Sequence, residues 1–141
     1  MNKICMCGKK MAIRINRIIY RHKVEIEGVP IWVCLGCDRY EVLPYVKEQL
    51  LELVEELGER PARQILGFGE RNEIARLIAA YCEKGGNPRQ LKLLVEERIN
   101  ELLDMLLLAR SLEDTPWEED IGRRLSVLTA YPIPELLFMH G

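Results

Sequence analysis

Apolar and polar positions first alternate along this chain and then switch to a helical spacing. Ala12-Ile13-Arg14-Ile15-Asn16 alternates, as a half-buried strand does. His22-Lys23-Val24-Glu25-Ile26-Glu27 alternates again, and Ile31-Trp32-Val33 runs straight into Cys34. Gly28-Val29-Pro30 between them reads as a turn. This pattern predicts three short strands in one small antiparallel sheet. From Leu43 the period becomes helical: Pro44 suits a first helical position, and Val46, Leu50, Leu53, Val54 and Leu57 form a stripe that ends at Gly58.

Residues 59–69, with Pro61, Gly67 and Gly69, read as a broken connector and the best place for a domain boundary. Three helices are predicted beyond it. The first covers 70–83 with Ile74, Leu77, Ile78 and Tyr81 inward, and Gly85-Gly86 stops it. The second covers 88–112: Asn87 is the N-cap, Pro88 takes N1, and Gln90 can reach back to the cap. The third starts at Thr115-Pro116-Trp117-Glu118, read as a capping box, and carries Ile121, Leu125 and Leu128. Pro132 and Pro134 break its end, leaving an apolar tail of Ile133, Leu136, Leu137 and Phe138. The predicted fold class is α+β, with a small β module and trailing helix over 1–57 and a helical domain over 58–141.

The middle of the second helix is apolar around much of its circumference. Leu102, Leu103, Leu106 and Leu107 are the candidate face for a homodimer or a partner protein; a central core helix is the alternative reading.

Composition narrows the class. With 48% hydrophobic and 30% charged residues the chain can build a core and is not biased towards disorder. No apolar run approaches the roughly 18 residues of a membrane span. The Met-Asn-Lys-Ile-Cys start lacks an apolar signal region, so the expected compartment is the cytoplasm, where paired cysteines are metal ligands more often than disulfides. The net charge of −2 is unevenly spread: residues 1–24 hold seven Lys/Arg and no acid. Lys9, Lys10, Arg14, Arg17, Arg21 and Lys23 are therefore candidate nucleic-acid contacts; a solvated face that balances a metal–thiolate charge is the competing reading.

Four cysteines in two close pairs carry the sharpest chemistry: Cys5-Met6-Cys7-Gly8 and Cys34-Leu35-Gly36-Cys37. Four thiolates from two tight turns suit one tetrahedral structural zinc per chain and leave no open position for catalysis. A sheet this small has little core, so a metal would staple it. The first pair is CxC, shorter than the usual CxxC, and His22 is a substitute ligand should that turn not close the site. Cys82 is left over and reads as a small buried hydrophobe.

The stretch 19–37, followed by a helix, resembles the YgiT/MqsA-type zinc-finger family. That pattern has an N-terminal CxxCG, a hairpin with a Gly-Val-Pro approach, then CxxC and a helix. Gly8, Gly28, Val29, Pro30, Val33, Cys34 and Cys37 match it, and the resemblance covers residues 1–57. The first knuckle departs from it, as do Asp38 and Arg39 after the last cysteine. The resemblance implies a zinc fold and, in antitoxin members, a zinc domain that binds a small toxin. Their helix-turn-helix has no counterpart here, since the long second helix carries Glu96, Glu97, Glu101 and Asp104, which phosphate would repel. CxC, 26 residues, then CxxC is also similar to the zinc–thiol redox switch of a bacterial heat-shock chaperone, though placed at the opposite end of the chain.

No Walker loop, GxGxxG or HExxH is present. The expected function is non-enzymatic: a zinc-binding regulator or adaptor acting by protein–protein contact, antitoxin-like in one version. A DNA- or RNA-binding regulator using the basic N-terminal sheet is the alternative, and a redox switch the minor one.

Overall fold

The computed structural model describes residues 3–130; the proline-rich tail lies outside the described residues. A long antiparallel hairpin forms its spine, made of β1 (Met11–Tyr20) and β2 (Val24–Cys34). Its turn is Arg21-His22, both at positive φ (54° and 58°), closed by Lys23 N–H to the Tyr20 carbonyl at 3.1 Å. Those signs are the ones a primed hairpin turn requires. His22 thus belongs to the turn and not to a strand.

Gly28-Val29-Pro30 is not a turn, contrary to the sequence expectation; it lies inside β2. Between the pairs Asn16↔Val29 and Ile18↔Ile26, β1 advances two residues and β2 three. The extra residue is a bulge, and Gly28 takes its positive φ of 78°. Pro30 is tolerated for a separate reason. The second edge of β2 carries β3 (Tyr40–Val42) at residues 31–33 and β4 (Gln64–Gly67) at residues 24–27. Neither strand pairs with 28–30, so a proline without an N–H costs no ladder bond there. β4 runs parallel to β2, so the sheet is mixed. Val29, Pro30, Ile31 and Trp32 are all buried, which means both faces of the sheet are covered at this level.

Helix α1 (Pro44–Leu57) ends at Gly58 and buries Val46 and Leu53. The connector 59–69 then returns to the sheet as β4. A short α2 (Phe68–Arg71) and α3 (Glu73–Glu83) follow, both packed against β2. Asn72 separates them as the N-cap of α3, so the single helix expected over 70–83 is two. Ile74, Leu77, Ile78 and Tyr81 are buried as the stripe predicts. α4 (Pro88–Ser111) is capped by the Asn87 side chain, which accepts from Arg89 N–H. The Gln90 reach-back does not form: its Oε1 has no partner among the described residues. α5 (Thr115–Ala130) starts one residue earlier than the capping box implies, with Asp114 Oδ1 accepting from Trp117 N–H at 3.1 Å. Buried side chains from Cys5 to Leu128 form one core. No helix among the described residues is long and apolar enough to cross a membrane.

Three of the helices meet at a buried charge. Arg98 of α4 holds Glu73 of α3 with two bonds, at 2.7 and 2.8 Å, and Arg124 of α5 adds a third at 2.7 Å. Burial alone would raise the Glu73 pKa, but these guanidinium bonds outweigh it and hold the carboxyl below its usual range.

Candidate metal centre

Both cysteine pairs sit at the end of the hairpin away from its turn. Lys3–Cys5 and Lys9–Met11 form a small ribbon through the Ile4–Lys10 bridge, Cys5 N–H to the Lys9 carbonyl (2.8 Å) and Met11 N–H to the Lys3 carbonyl (2.8 Å). Gly8 N–H bonds the Cys5 carbonyl at 2.9 Å and tightens the loop around Cys7. The second knuckle grows out of the end of β2. Cys34 N–H bonds the Arg39 carbonyl (2.9 Å), and Leu35 N–H bonds the Lys10 carbonyl (3.0 Å), which ties the two knuckles together.

The four sulfurs of Cys5, Cys7, Cys34 and Cys37 all lie within 4.8 Å of one another. Two of the separations cross between knuckles: Cys5 to Cys37 at 3.7 Å and Cys7 to Cys34 at 3.5 Å. A tetrahedral ion with metal–sulfur bonds of about 2.3 Å needs sulfurs about 3.8 Å apart, so the cluster fits a metal. The same distances are far too long for disulfides, whose S–S bond is about 2.05 Å. The CxC turn therefore brings both of its sulfurs into the cluster. His22 lies at the other end of β2, on the order of 30 Å away at strand spacing, and is no ligand.

Backbone donors prepare the second knuckle for charge. Gly36 and Cys37 N–H both point at Cys34 Sγ, each at 3.3 Å. The Gly36 bond is the main reason the Cys34 thiol is lowered to about 6, against the opposing effect of burial. Cys37 goes the other way. The Arg39 N–H draws it down, but burial and the bonds to Cys34, Cys5 and Cys7 overcome this and push it to about 12. Cys34 ionises before Cys37, and a divalent cation would favour the thiolate form of every sulfur that binds it. Position 36 must be glycine for a steric reason as well, since a Cβ there would run into the Lys9 methylenes.

The other expected residues are more dispersed. Lys9, Lys10, Arg14, Arg17, Arg21 and Lys23 are all exposed, but they run from the knuckles to the hairpin turn. Arg17 is paired with Glu25, and Arg21 sits over the Tyr20 ring at 5.8 Å. Trp32 is buried, beyond the reach of any base. Of the proposed partner face on α4, Leu102 is withdrawn: it is 0% exposed, because it falls in the same buried stripe as Leu91, Arg98 and Ala109. Leu106 is half-buried, while Leu103 and Leu107 are exposed alongside Leu108 and Leu112. Cys82 is half-buried and burial raises its pKa, which suits an unreactive thiol.

The sequence pattern does not single out the apolar rim of the knuckles. Ile4, Met6, Leu35 and Tyr40 are all exposed, Met6 at 91%. Ile4, Met6 and Tyr40 line a cavity of about 460 Å³ whose floor includes Cys5 and Met11. The signal was present as apolar residues inside and beside the cysteine turns, where polar ones are usual. No family model, curated protein or solved structure matches the chain.

Proposed function

We propose that this chain is a non-enzymatic zinc protein that acts by protein–protein contact, with the metal holding a docking surface in shape. One structural zinc per chain, on Cys5, Cys7, Cys34 and Cys37, is the ion the donor set favours: soft thiolates in a closed tetrahedron. The observation that carries the reading is the apolar rim around this cluster. Apolar side chains clustered at a surface and rimmed by polar ones mark a contact site, and here Ile4, Met6 and Tyr40, with Lys3, Asp38, Arg39 and Glu41 beside them, line a cavity wide enough for a partner's side chain. Antitoxin-like neutralisation of a small protein is the concrete version that the YgiT/MqsA-type resemblance implies.

Elemental analysis of the purified chain should give about one zinc per chain, and Cys34→Ser should lose it. Affinity capture from the native cell extract should then retain a protein with the zinc-loaded chain. That protein should be released by Met6→Lys, with zinc content unchanged, and by chelation. A partner indifferent to both changes would remove the reading. Retention on DNA or RNA that weakens steeply with salt would replace it with nucleic-acid binding through the basic hairpin.

A further inference from the structure

The long helix α4 packs on α3 and α5 through the side that buries Leu91, Arg98, Leu102 and Ala109. A second line of side chains runs along a more open side: Glu96, Ile99, Leu103, Leu107 and Arg110. The steps between them are three, four, four and three residues, and such steps keep side chains in one ridge on a helix. Ile99 is half-buried, while Leu103 and Leu107 are 45% and 64% exposed. Glu96 and Arg110 are exposed at the two ends. Glu96 enters none of the ion pairs among the described residues. Arg110 gives its Nε–H to Glu118, which leaves the other guanidinium N–H groups for a second acid.

This ridge is complementary to itself. Its spacing reads the same in both directions from Leu103, and its charge reverses: an acid at one end, a base at the other. A two-fold axis through Leu103 sets two such ridges antiparallel, and each contact off the axis is then made twice. Leu103 meets the partner's Leu103, Ile99 meets the partner's Leu107, and Glu96 meets the partner's Arg110. A parallel pairing would set acid on acid and base on base, which is unfavourable. From Glu96 to Arg110 the ridge is about 21 Å long, short enough for two helices crossing at about 20° to stay in contact along it.

We propose that the open side of α4 binds a second copy of this chain, forming an antiparallel two-fold dimer with its axis at Leu103. The leucines supply the apolar centre and the Glu96–Arg110 pairs fix direction and register. One helix from each copy makes a contact at the small end of stable interfaces, so the dimer forms with micromolar affinity. The proposal rests on α4 alone and stands whether or not the knuckles take a partner.

Sedimentation equilibrium of the full, metal-loaded chain tests it, with protein from about 1 to about 200 µM. A reversible monomer–dimer equilibrium is expected. Leu103→Lys sets two cations on the axis and should leave a monomer with the circular dichroism of the folded chain. Glu96→Arg and Arg110→Glu each set like charges together at both ends, and each should weaken the dimer about tenfold. Mixed in equal amounts, these two variants regain both opposite-charge pairs in one heterodimer, and the double variant regains them in a homodimer. Both should return to wild-type affinity within about threefold. A chain that stays monomeric over the whole range overturns the proposal. So does a dimer that survives Leu103→Lys, or a charge exchange that rescues nothing. A monomer that dimerises only after deletion of residues 131–141 also overturns it, and would assign the ridge to the chain's own tail.

Discussion

Glu73 is 2% exposed at its side chain and Arg98 10%, so their pair stands where water cannot compensate for a lost partner. Replacing both by apolar groups could be neutral, whereas removing one leaves a buried charge alone, at a cost of about 3–5 kcal/mol. Glu73→Gln is therefore expected to lower the urea stability at pH 7 by roughly 3 kcal/mol. The pH dependence has a definite sign. Because the folded carboxyl is held below its ordinary value, its contribution is full above the unfolded pKa of about 4.3 and is lost as pH falls through the lower folded value. The gap between wild type and Glu73→Gln should thus be constant from pH 7 to 5 and close in stronger acid; a gap unchanged at pH 2.5 would contradict the assignment. The sequence held a trace of this cluster. Arg98 occupies a position between Leu91 and Leu102 on the apolar stripe of α4, and a charge there needs a buried partner. Which acid answered it depended on how three helices pack, and no local pattern records that.

At the scale of elements, what could be read was whatever the chain specifies locally. The stripes of α1, α3, α4 and α5 and the Asn87 cap all follow from spacing within a few residues. β4 does not: Gln64-Ile65-Leu66-Gly67 is a strand only because Val24–Glu27 offers it an edge. Gly28 and Pro30 misled for a related reason, since both punctuate chains, yet here one makes a bulge and the other falls in the gap between two partner strands. The α5 cap was displaced by one residue because Asp114 and Thr115 are both good caps, and the bond to Trp117 N–H chooses Asp114. Asp114→Ala should then cost about 1 kcal/mol, while Thr115→Ala should be close to neutral in the same denaturation experiment. The hairpin turn offers a gain instead. Arg21 and His22 both hold positive φ, a conformation that costs roughly 1 kcal/mol or more for such residues. Exchanging them for Asn-Gly should raise the melting temperature by a few degrees with metal content unchanged; an unchanged or lower melting temperature would contradict the strain assigned to this turn.

Across the whole molecule the two ends of the hairpin are held by different means. At the turn end, β4 pairs with Val24–Glu27, the Tyr20 hydroxyl bonds the Gly58 carbonyl at 2.7 Å, and α2 and α3 pack against β2. At the knuckle end, residues 3–10 meet 34–42 through the Lys3–Glu41 ion pair and the Leu35 N–H bond to the Lys10 carbonyl beside the four sulfurs, and short β3 pairs only with residues 31–33. The thiol pairs were legible in the sequence because their spacing is local, and the structure adds where the load falls: on the end of the hairpin that β4 does not reach. A bound metal stabilises the folded state by an amount that grows with the logarithm of its affinity, so its removal should act where nothing else compensates. Chelation is expected to leave the helical circular-dichroism signal largely intact. Hydrogen exchange should then quicken at Cys5, Met11, Cys34 and Leu35 by at least tenfold, with Ile26, Leu77 and Leu102 changing little. Equal acceleration at Ile26 and Leu102 would mean that the metal supports the entire core, and no change at Cys34 would mean that the knuckles stand without it.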